Sequence, residues 1–372
     1  GRIPNVEGRD SLTGSSSWKA VVKKAIELDV EVLVLAGDVV EHEHVWAEAY
    51  GPLAEGLMTL NNHNIKVIGV GGNHDYGIFP SLVEQKGEIT ILGLGGSWET
   101  FDYHNVRFVG WSFPQSRVTQ SPFETFDNSY LDTENTLLGI LHGDVGMRES
   151  NYAPIALNTL EHSPIPLFVL GHIHKQQIIG NKALYCGSPY PLDSSEKGDH
   201  GVWLLETNNE GGWKEPKSIS LTPYRFEKCV VDLTGAETEE HIRQFITNQS
   251  TTFVENLKTT SDIYLTLTRE GTIAKTLDIS KILTTEVLSN LNIPLGNNSI
   301  SFLTNYQDNT QLEIDLEALS RGEGISAILA KTLLDEKMCL DMVTEYKRIE
   351  QETLGTSTYM PLHTISTPKS DE

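Results

Sequence analysis

The first two hundred residues alternate short apolar runs with a helical spacing of apolar positions. Runs of strand length, each ending in turn residues, predict buried strands at 31–36, 65–70, 106–113, 137–141 and 166–170. One amphipathic helix is predicted before them, with the serine triplet 15–17 as its cap, from Trp18, Val21, Val22, Ala25 and Ile26. This alternation is typical of an α/β fold with a parallel-rich sheet flanked by helices.

The pattern changes near residue 222, where Thr222-Pro223 marks a predicted boundary. Beyond it, Ile263, Leu265 and Leu267 share one face of an alternating strand, and an amphipathic helix is predicted around 241–246. We therefore expect a first domain at 1–222, a smaller α+β cap or binding domain at 223–320, a helical extension at 321–354 and a disordered tail at 355–372.

Length and composition describe a globular chain with ample capacity for a buried core. The 372 residues exceed what one core usually organises, which agrees with more than one domain. No apolar stretch approaches the ~20 residues of a membrane span, so no membrane partner is expected. The three cysteines are few, odd in number and far apart, which fits reduced thiols in a cytoplasmic protein better than a disulfide framework.

The charge balance bears on which substrates are plausible. With 51 acidic and 28 basic residues, the formal charge is -23, and this opposes tight binding to a polyanion. If the substrate is nucleic acid, bound divalent cations and a partner subunit must supply much of the attraction. Solubility alone accounts for the acidity equally well.

Four short turns that carry histidine or acidic residues each follow a predicted strand. In chain order they are Gly37-Asp38, Gly72-Asn73-His74-Asp75, His142-Gly143-Asp144 and Gly171-His172-Ile173-His174. The carboxyl ends of parallel strands deliver such side chains to one edge of a sheet. A metal site needs several hard or borderline ligands at one point, so the four turns together predict a metal site.

Each turn by itself also has a structural explanation, because a carboxylate at a strand end is common. Asn73 can ligate a hard metal through its amide oxygen, while His74 can face the substrate as an acid or electrostatic stabiliser. His142 closes an apolar strand, where a polar ring is costly unless it is paired or ligated. His172 and His174 can chelate one metal or serve two neighbouring metals. The joint occurrence of the four turns favours function.

In this order the four turns resemble the calcineurin-like metallophosphoesterase superfamily. Within it, Tyr152-Ala153-Pro154, the run 170–175 and the run 185–189 followed by Lys197-Gly198 resemble the bacterial SbcD/YhaO branch of DNA repair exonucleases. The resemblance covers residues 1–205 well and the rest only in outline. It implies a layered α/β metallophosphoesterase core, in which β-sheets are flanked by helices.

Carried over by position, the resemblance also implies the site residues. His74 is the implied catalytic histidine, and Asp75 is expected to brace it through a hydrogen bond rather than bind metal. The implied cofactors are two divalent ions, with Mn²⁺ expected, whose ligands are Asp38 as the bridge, Asn73, His142 and His172 on one metal, and His174 on the other.

One motif of the superfamily, which its members carry ahead of the Gly-Asp turn, does not occur in residues 1–37. Members begin with a strand that ends in Asp-x-His, which supplies the remaining ligands of the second metal. In the SbcD/YhaO branch, the distance from that motif to the Gly-Asp turn resembles the distance from Gly1 to Gly37. We therefore expect the motif to lie upstream of Gly1, and the chain as printed to bind the second metal poorly and to be nearly inactive.

The resemblance implies a metal-dependent DNA nuclease in double-strand break repair, acting on DNA ends or single-stranded DNA as an exonuclease and as a single-strand endonuclease. An SbcC-type coiled-coil ATPase subunit is the implied partner, and relatives commonly form homodimers. Two alternatives stay open: a phosphomonoesterase or protein phosphatase of the same superfamily, and a non-catalytic DNA-end scaffold if the first motif is truly absent. In the helical extension, an apolar stripe either packs within the molecule or docks the partner: Ile328, Leu329, Leu333 and Leu334.

Overall fold

The computed structural model describes residues 13–40, 46–78, 89–147, 149–208, 210–259, 261–274, 276–284, 287–288, 292–295, 298–303, 307–312 and 316–335. Its helices there are α1 (Gly14–Glu27), α2 (Trp46–Asn62), α3 (Leu157–His162), α4 (Glu239–Leu257), α5 (Ile279–Ile282), α6 (Leu316–Ser320) and α7 (Ile325–Leu334). Its strands there are β1 (Val32–Ala36), β2 (Lys66–Val70), β3 (Ile89–Ile91), β4 (Trp98–Tyr103), β5 (Val106–Trp111), β6 (Thr136–His142), β7 (Phe168–Gly171), β8 (Gln177–Ile179), β9 (Ala183–Tyr185), β10 (Gly201–Leu204), β11 (Lys217–Ser220), β12 (Tyr224–Asp232), β13 (Asp262–Glu270), β14 (Thr272–Ile273), β15 (Asn292–Leu295), β16 (Asn298–Phe302), β17 (Gln307–Asp308) and β18 (Gln311–Leu312).

The five predicted strands are present as β1, β2, β5, β6 and β7, with ends shifted by one or two residues. The predicted amphipathic helix is α1, but the serine triplet as its cap is wrong. Thr13 has the extended backbone that an N-cap needs, and its Oγ1 accepts a hydrogen bond from the Ser16 amide at 3.2 Å. The serines lie inside the first turn.

The first sheet holds β1, β2 and β3 in one parallel set. Helices α1 and α2 cover one face of it, and Val22, Leu57 and Leu60 pack there with the strand residue Val67. Each fully buried leucine in such a layer contributes about 1.5–3 kcal/mol. This packing fixes the direction in which β1 and β2 present their carboxyl ends.

The second sheet has the strand order β4-β5-β6-β7-β9-β8. Strands β5, β6, β7 and β9 are parallel neighbours, and the edge strands β4 and β8 are antiparallel to theirs. Leu160 of α3 and Ile155 pack on the outer face with Phe168. The central parallel pair β6 and β7 therefore ends at the same edge of the sheet.

The inner faces of the two sheets pack against each other. Ile68 and Val70 of the first sheet share one core with Phe108, Ile140 and Val169 of the second. The layers run helices, sheet, sheet, helix, which confirms the layered α/β core. The sequence pattern predicts one parallel-rich sheet, whereas the structure divides the parallel strands between two sheets. The pattern could not show this division, because a hydrophobic run indicates that a strand is buried but does not specify its partners.

The region after residue 223 forms its own sheet, in the order β12-β13-β16-β15 with β17 beside β13. The parallel pair β12 and β13 is joined through α4, whose Ile242 faces a core with Ile263, Leu265 and Leu267. All four side chains are fully buried, as the alternation of the last three predicted. The domain limits themselves stay predictions.

Helix α7 carries the apolar stripe of the predicted helical extension. Its Ala327 and Ala330 are buried, whereas the predicted stripe residues are exposed: Ile328, Leu329, Leu333 and Leu334. Residues 336–372, which include the rest of the predicted extension and the whole predicted tail, lie outside the described part of the chain. None of the helices in the described ranges has the length and apolar character needed to cross a membrane.

Candidate metal centre

The four predicted turns converge at one end of the stacked sheets. Gly37-Asp38 follows β1 and Gly72-Asn73 follows the adjacent parallel strand β2, while His142 ends β6 and His172 follows its parallel neighbour β7. Parallel neighbours end at a common edge, and the face-to-face packing of the sheets brings the two edges together. Two turns from each sheet thus line the same site.

Glycine permits the close approach of these turns. A Cβ built on Gly72 would lie 2.7 Å from the Asp38 amide nitrogen and 2.8 Å from His142 Cε1. Gly37 has φ +84° and would place a Cβ 2.7 Å from His142 Nδ1. Real Cβ atoms do not approach their neighbours so closely, so both positions require glycine for the site to assemble.

His142 is completely buried and crosses from the second sheet to the first. Its Nδ1 lies 2.9 Å from the carbonyl oxygen of Ala36, which can only accept, so Nδ1 donates and carries the proton. Its other nitrogen, Nε2, lies 3.0 Å from Asn73 Oδ1 and 3.2 Å from Asp38 Oδ2. Both groups belong to the turns of the first sheet.

The two oxygen atoms beside His142 Nε2 favour a positive charge at this point. With the proton on Nδ1, the neutral ring points a lone pair at two oxygens that also carry lone pairs. A second ring proton or a cation resolves this conflict. Adjacent ligand atoms bound at about 2.0–2.2 Å to one ion lie about 3 Å apart, as these do. Carboxylate, amide oxygen and imidazole together suit a divalent metal ion.

His172 completes the group from the second sheet. One ligand atom each from Asp38, His142 and His172 lie within 4.8 Å of one another. Burial and the neighbouring His142 lower the pKa of His172, which keeps its ring neutral, the form that binds metal. Burial acts to raise the pKa of Asp38, but His142 and the His74 amide outweigh it, so the pKa lies below its ordinary value and the carboxylate is charged.

Two of these residues have a backbone conformation that is costly for anything but glycine. Asp38 has φ +53° and His172 has φ +92°. Such conformations cost of order 1–3 kcal/mol each and are kept where surrounding structure enforces them, often at functional sites. Here they turn the two side chains back toward the space between the sheet ends.

Asp75 is completely buried behind the turns. Its Oδ1 accepts from the Gly72 amide and its Oδ2 from the Val39 amide, each at 2.7 Å. Burial, then the charge of Asp38, raises the pKa of Asp75 to about 6. Its described hydrogen bonds therefore tie the Asp38 turn to the Asn73 turn through the backbone, and the predicted bond to His74 is not among them.

His74 sits beside the group with a half-buried side chain. Its amide donates to Asp38 Oδ1 at 2.9 Å, so the backbone at His74 and the Asp38 carboxylate hold each other in place. The backbone of His74 therefore lies against the candidate site. The catalytic role of His74 stays a prediction.

Of the three predicted histidine ligands, His174 is the one that lies outside the three-residue group. Its Nδ1 lies 2.6 Å from Glu196 Oε1. Burial acts to raise the pKa of Glu196, but the His174 hydrogen bond and the Leu192 amide outweigh it and hold the pKa below its ordinary value. The ring is nearly half exposed, with 46% of the side chain accessible.

Two carboxylates of the site have no role in the sequence-based prediction. Asp144 Oδ1 lies 3.2 Å from His172 Nε2, and Glu196 contacts His174. Each histidine of the Gly-His-Ile-His turn therefore has its own carboxylate. Asp144 could have been assigned from the sequence, because it belongs to the His142-Gly143-Asp144 motif. Glu196 is 22 residues from His174 in the chain, and no spacing rule connects the two.

Comparison with known proteins agrees with this geometry. Residues 14–176 match the family model for calcineurin-like phosphoesterases. The chain is 25% identical over 276 residues to the DNA double-strand break repair protein Mre11 of Methanopyrus kandleri, covering 65% of this chain and 59% of the relative. It is 24% identical over 266 residues to the uncharacterized metallophosphoesterase YhaO of Bacillus subtilis, covering 69% of this chain and 64% of the relative.

The aligned part spans less than two thirds of the length of either relative. Among solved structures, a dimetal phosphatase from Danio rerio matches with a TM-score of 0.37 and 15% identity, over 56% of this chain and 89% of that chain. A TM-score of this size carries no argument about function. The assignment rests instead on the family match and on the converging turns. Residues 14–176 form a calcineurin-like phosphoesterase domain.

Proposed function

We propose that the protein is a metal-dependent DNA nuclease that hydrolyses phosphodiester bonds in double-strand break repair. The observation that carries the metal chemistry is the convergence of Asp38, Asn73 and His142 Nε2 at 3.0–3.2 Å, with His172 beside them. A proton or a cation relieves that convergence, and residues 14–176 match a family of phosphoesterases.

In this proposal, Asn73, His142 and His172 would hold one divalent ion and His174 a second, with Asp38 shared between them. Both ions are expected to be Mn²⁺. When bound, two such ions would supply a hydroxide nucleophile and would neutralise the charge that develops on the phosphate oxygens. His74, whose backbone is fixed by Asp38, donates a proton or a hydrogen bond to the leaving oxygen. Asp75 holds the two turns of the first sheet together while this occurs.

Support for DNA as the substrate comes from outside the phosphoesterase core. A relative with 25% identity bears the name of a DNA double-strand break repair protein, and the aligned segment extends past the 163 residues of the family match. The sheet built from β12, β13, β16 and β15 gives this chain a further region that can hold a strand. The formal charge of -23 opposes such binding, so the proposal requires cations or a partner to offset it.

The partner and the setting belong to the same proposal. The exposed apolar stripe on α7 agrees with docking of a second protein, for which we propose an SbcC-type coiled-coil ATPase, and a homodimer is part of the same assembly. Cys186 and Cys229 are free thiols, which supports a cytoplasmic setting.

The test uses the natural full-length protein with Mn²⁺, supplied in parallel with end-labelled linear DNA, circular single-stranded DNA and a generic phosphomonoester. We expect nucleotides to be released from linear DNA, the circle to be cut more slowly, and chelation to stop both. Hydrolysis of the monoester alone would assign a phosphatase instead. Binding of DNA ends without any cleavage would assign the scaffold role.

A further inference from the structure

We propose that Glu196 is a positioning residue for His174: it fixes which ring nitrogen of His174 carries the proton and turns the other toward the metal centre. The inference deepens the proposed function and rests on it, because the orientation of His174 matters to catalysis only if His174 is a metal ligand. Glu196 lies in the loop 187–200, outside the four turns that define the site.

The contact between the two side chains is short and directional. His174 Nδ1 lies 2.6 Å from Glu196 Oε1, and a carboxylate can only accept from the ring. The proton of the neutral ring is therefore held on Nδ1, which places the ring lone pair on Nε2. A metal-binding histidine commonly donates its second N–H to a carboxylate in this way, which fixes the tautomer and raises the basicity of the ligand nitrogen.

The other carboxylate oxygen of Glu196 also accepts hydrogen bonds, so both oxygens hold the carboxylate in place. Oε2 accepts from the Leu192 amide at 2.8 Å and from Ser188 Oγ at 3.3 Å. The Ser188 amide in turn donates to the carbonyl oxygen of His174 at 2.8 Å. The loop thus contacts His174 through both its ring and its backbone, and Glu196 cannot leave the ring without breaking bonds inside the loop.

The far side of the same loop is fastened to β12. The Gly198 amide donates to the Phe226 carbonyl at 3.1 Å, and Asp199 Oδ1 lies 2.9 Å from Arg225 Nη1, a guanidinium whose side chain is 11% exposed. Glu196 is therefore placed by a segment that spans from the end of β9 to the sheet of the following region. A role confined to local loop stability would need no contact with the imidazole.

The experiment compares Glu196→Ala, Glu196→Gln and the matched control Asp193→Asn, a conservative change in the same loop at a carboxylate that caps Ser195. In metal-free full-length protein, nitrogen-detected NMR reports the tautomer of His174, with His174→Asn used to identify its signals. We expect the Nδ1-protonated form in wild type and in the control, and its loss in Glu196→Ala. An unchanged tautomer in Glu196→Ala overturns the inference.

Calorimetric titration with Mn²⁺ supplies the second readout. Glu196→Ala should weaken one Mn²⁺ site by about 10–100-fold. Glu196→Gln, whose single amide oxygen can still accept from His174 Nδ1 but whose NH2 group cannot accept from the Leu192 amide, should weaken it less, and this variant decides the matter if the alanine variant does not fold. Equal affinity in Glu196→Gln, Glu196→Ala and Asp193→Asn contradicts the inference.

Asp38→Asn separates failure of the inference from failure of the proposed function. If Asp38→Asn binds Mn²⁺ as tightly as wild type, the proposed metal centre is wrong, while the tautomer measurement still decides whether Glu196 orients His174. If Asp38→Asn loses Mn²⁺ but the Glu196 variants do not, the metal centre stands and the role of Glu196 falls.

Discussion

His142 Nδ1 donates to the carbonyl oxygen of Ala36 at 2.9 Å, and this bond joins the last residue of β6 to the last residue of β1 across the two sheets. The ring is completely buried, so its packing favours this orientation. The bond decides the tautomer, and the tautomer decides that Nε2 faces Asp38 and Asn73 with a lone pair. One backbone carbonyl thus prepares a candidate metal ligand.

We predict that Asp38→Asn and His172→Ala lose Mn²⁺ together with activity. Asp38 supplies the only carboxylate of the described three-residue group, and an amide at that position removes its negative charge. Loss of such a ligand should weaken binding by at least the 10–100-fold seen when a supporting partner is removed. Calorimetric titration of the full-length protein measures it. Unaltered affinity in both variants would show that the ion binds elsewhere.

His74→Ala should behave differently from the ligand variants. Its contact with Asp38 runs through the backbone amide, which alanine retains, so Mn²⁺ affinity should stay within about threefold of wild type. Turnover on DNA should fall by at least the 10²–10⁴-fold typical of a general acid. Parallel measurement of Mn²⁺ affinity and of the cleavage rate checks this. A matching loss of metal would refute the role given to His74.

Gly72→Ala should damage both the fold and the site. The added methyl group would lie 2.7 Å from the Asp38 amide nitrogen and 2.8 Å from His142 Cε1, so the two sheet ends must separate. We expect the free energy of unfolding to fall by about 1–3 kcal/mol, with loss of Mn²⁺ affinity.

Gly14→Ala is the matched control for that variant. Gly14 is the first residue of α1, it is exposed, and a Cβ there would meet nothing within 4 Å. Alanine should therefore stabilise the helix by up to about 1 kcal/mol and leave Mn²⁺ affinity unchanged. Urea unfolding of both variants measures the difference, and equal effects would mean that crowding at Gly72 is not the cause.

Asp75 should make the metal-free protein less stable as the pH rises through its titration. Burial and the charge of Asp38 raise its pKa from 3.8 to about 6, so between those values the unfolded chain ionises while the folded protein retains the proton. This loss of folding stability is complete above about pH 6. The difference of about two units between the folded and unfolded pKa corresponds to roughly 3 kcal/mol.

The measurement is the difference in free energy of unfolding between wild type and Asp75→Asn from pH 4 to pH 7. We expect the stability of wild type relative to the variant to fall over this range in metal-free protein. Mn²⁺ should reduce the fall, because a nearby cation favours the ionised carboxylate. Parallel pH curves for the two proteins would show that Asp75 does not titrate there.

Much of the candidate site could be predicted from the sequence because its residues stand at strand ends in recognisable short motifs. Asn73, His142 and His172 needed only the rule that parallel strands present their carboxyl ends together. The pairing of strands into two sheets could not be predicted, because a buried run looks the same in either sheet. The partnership of His174 with Glu196 depends on the path of a loop, which no periodicity encodes.

The division of the ligands between two sheets has a consequence for the life of the protein. An ion held by Asp38 and Asn73 of the first sheet and by His142 and His172 of the second would cross-link the two sheets. Its binding energy would then add to the stability of the folded chain by mass action, by about 2.7 kcal/mol at a hundred times the dissociation constant. Under that arrangement, the supply of metal in a cell would govern how long the protein persists as well as how fast it works.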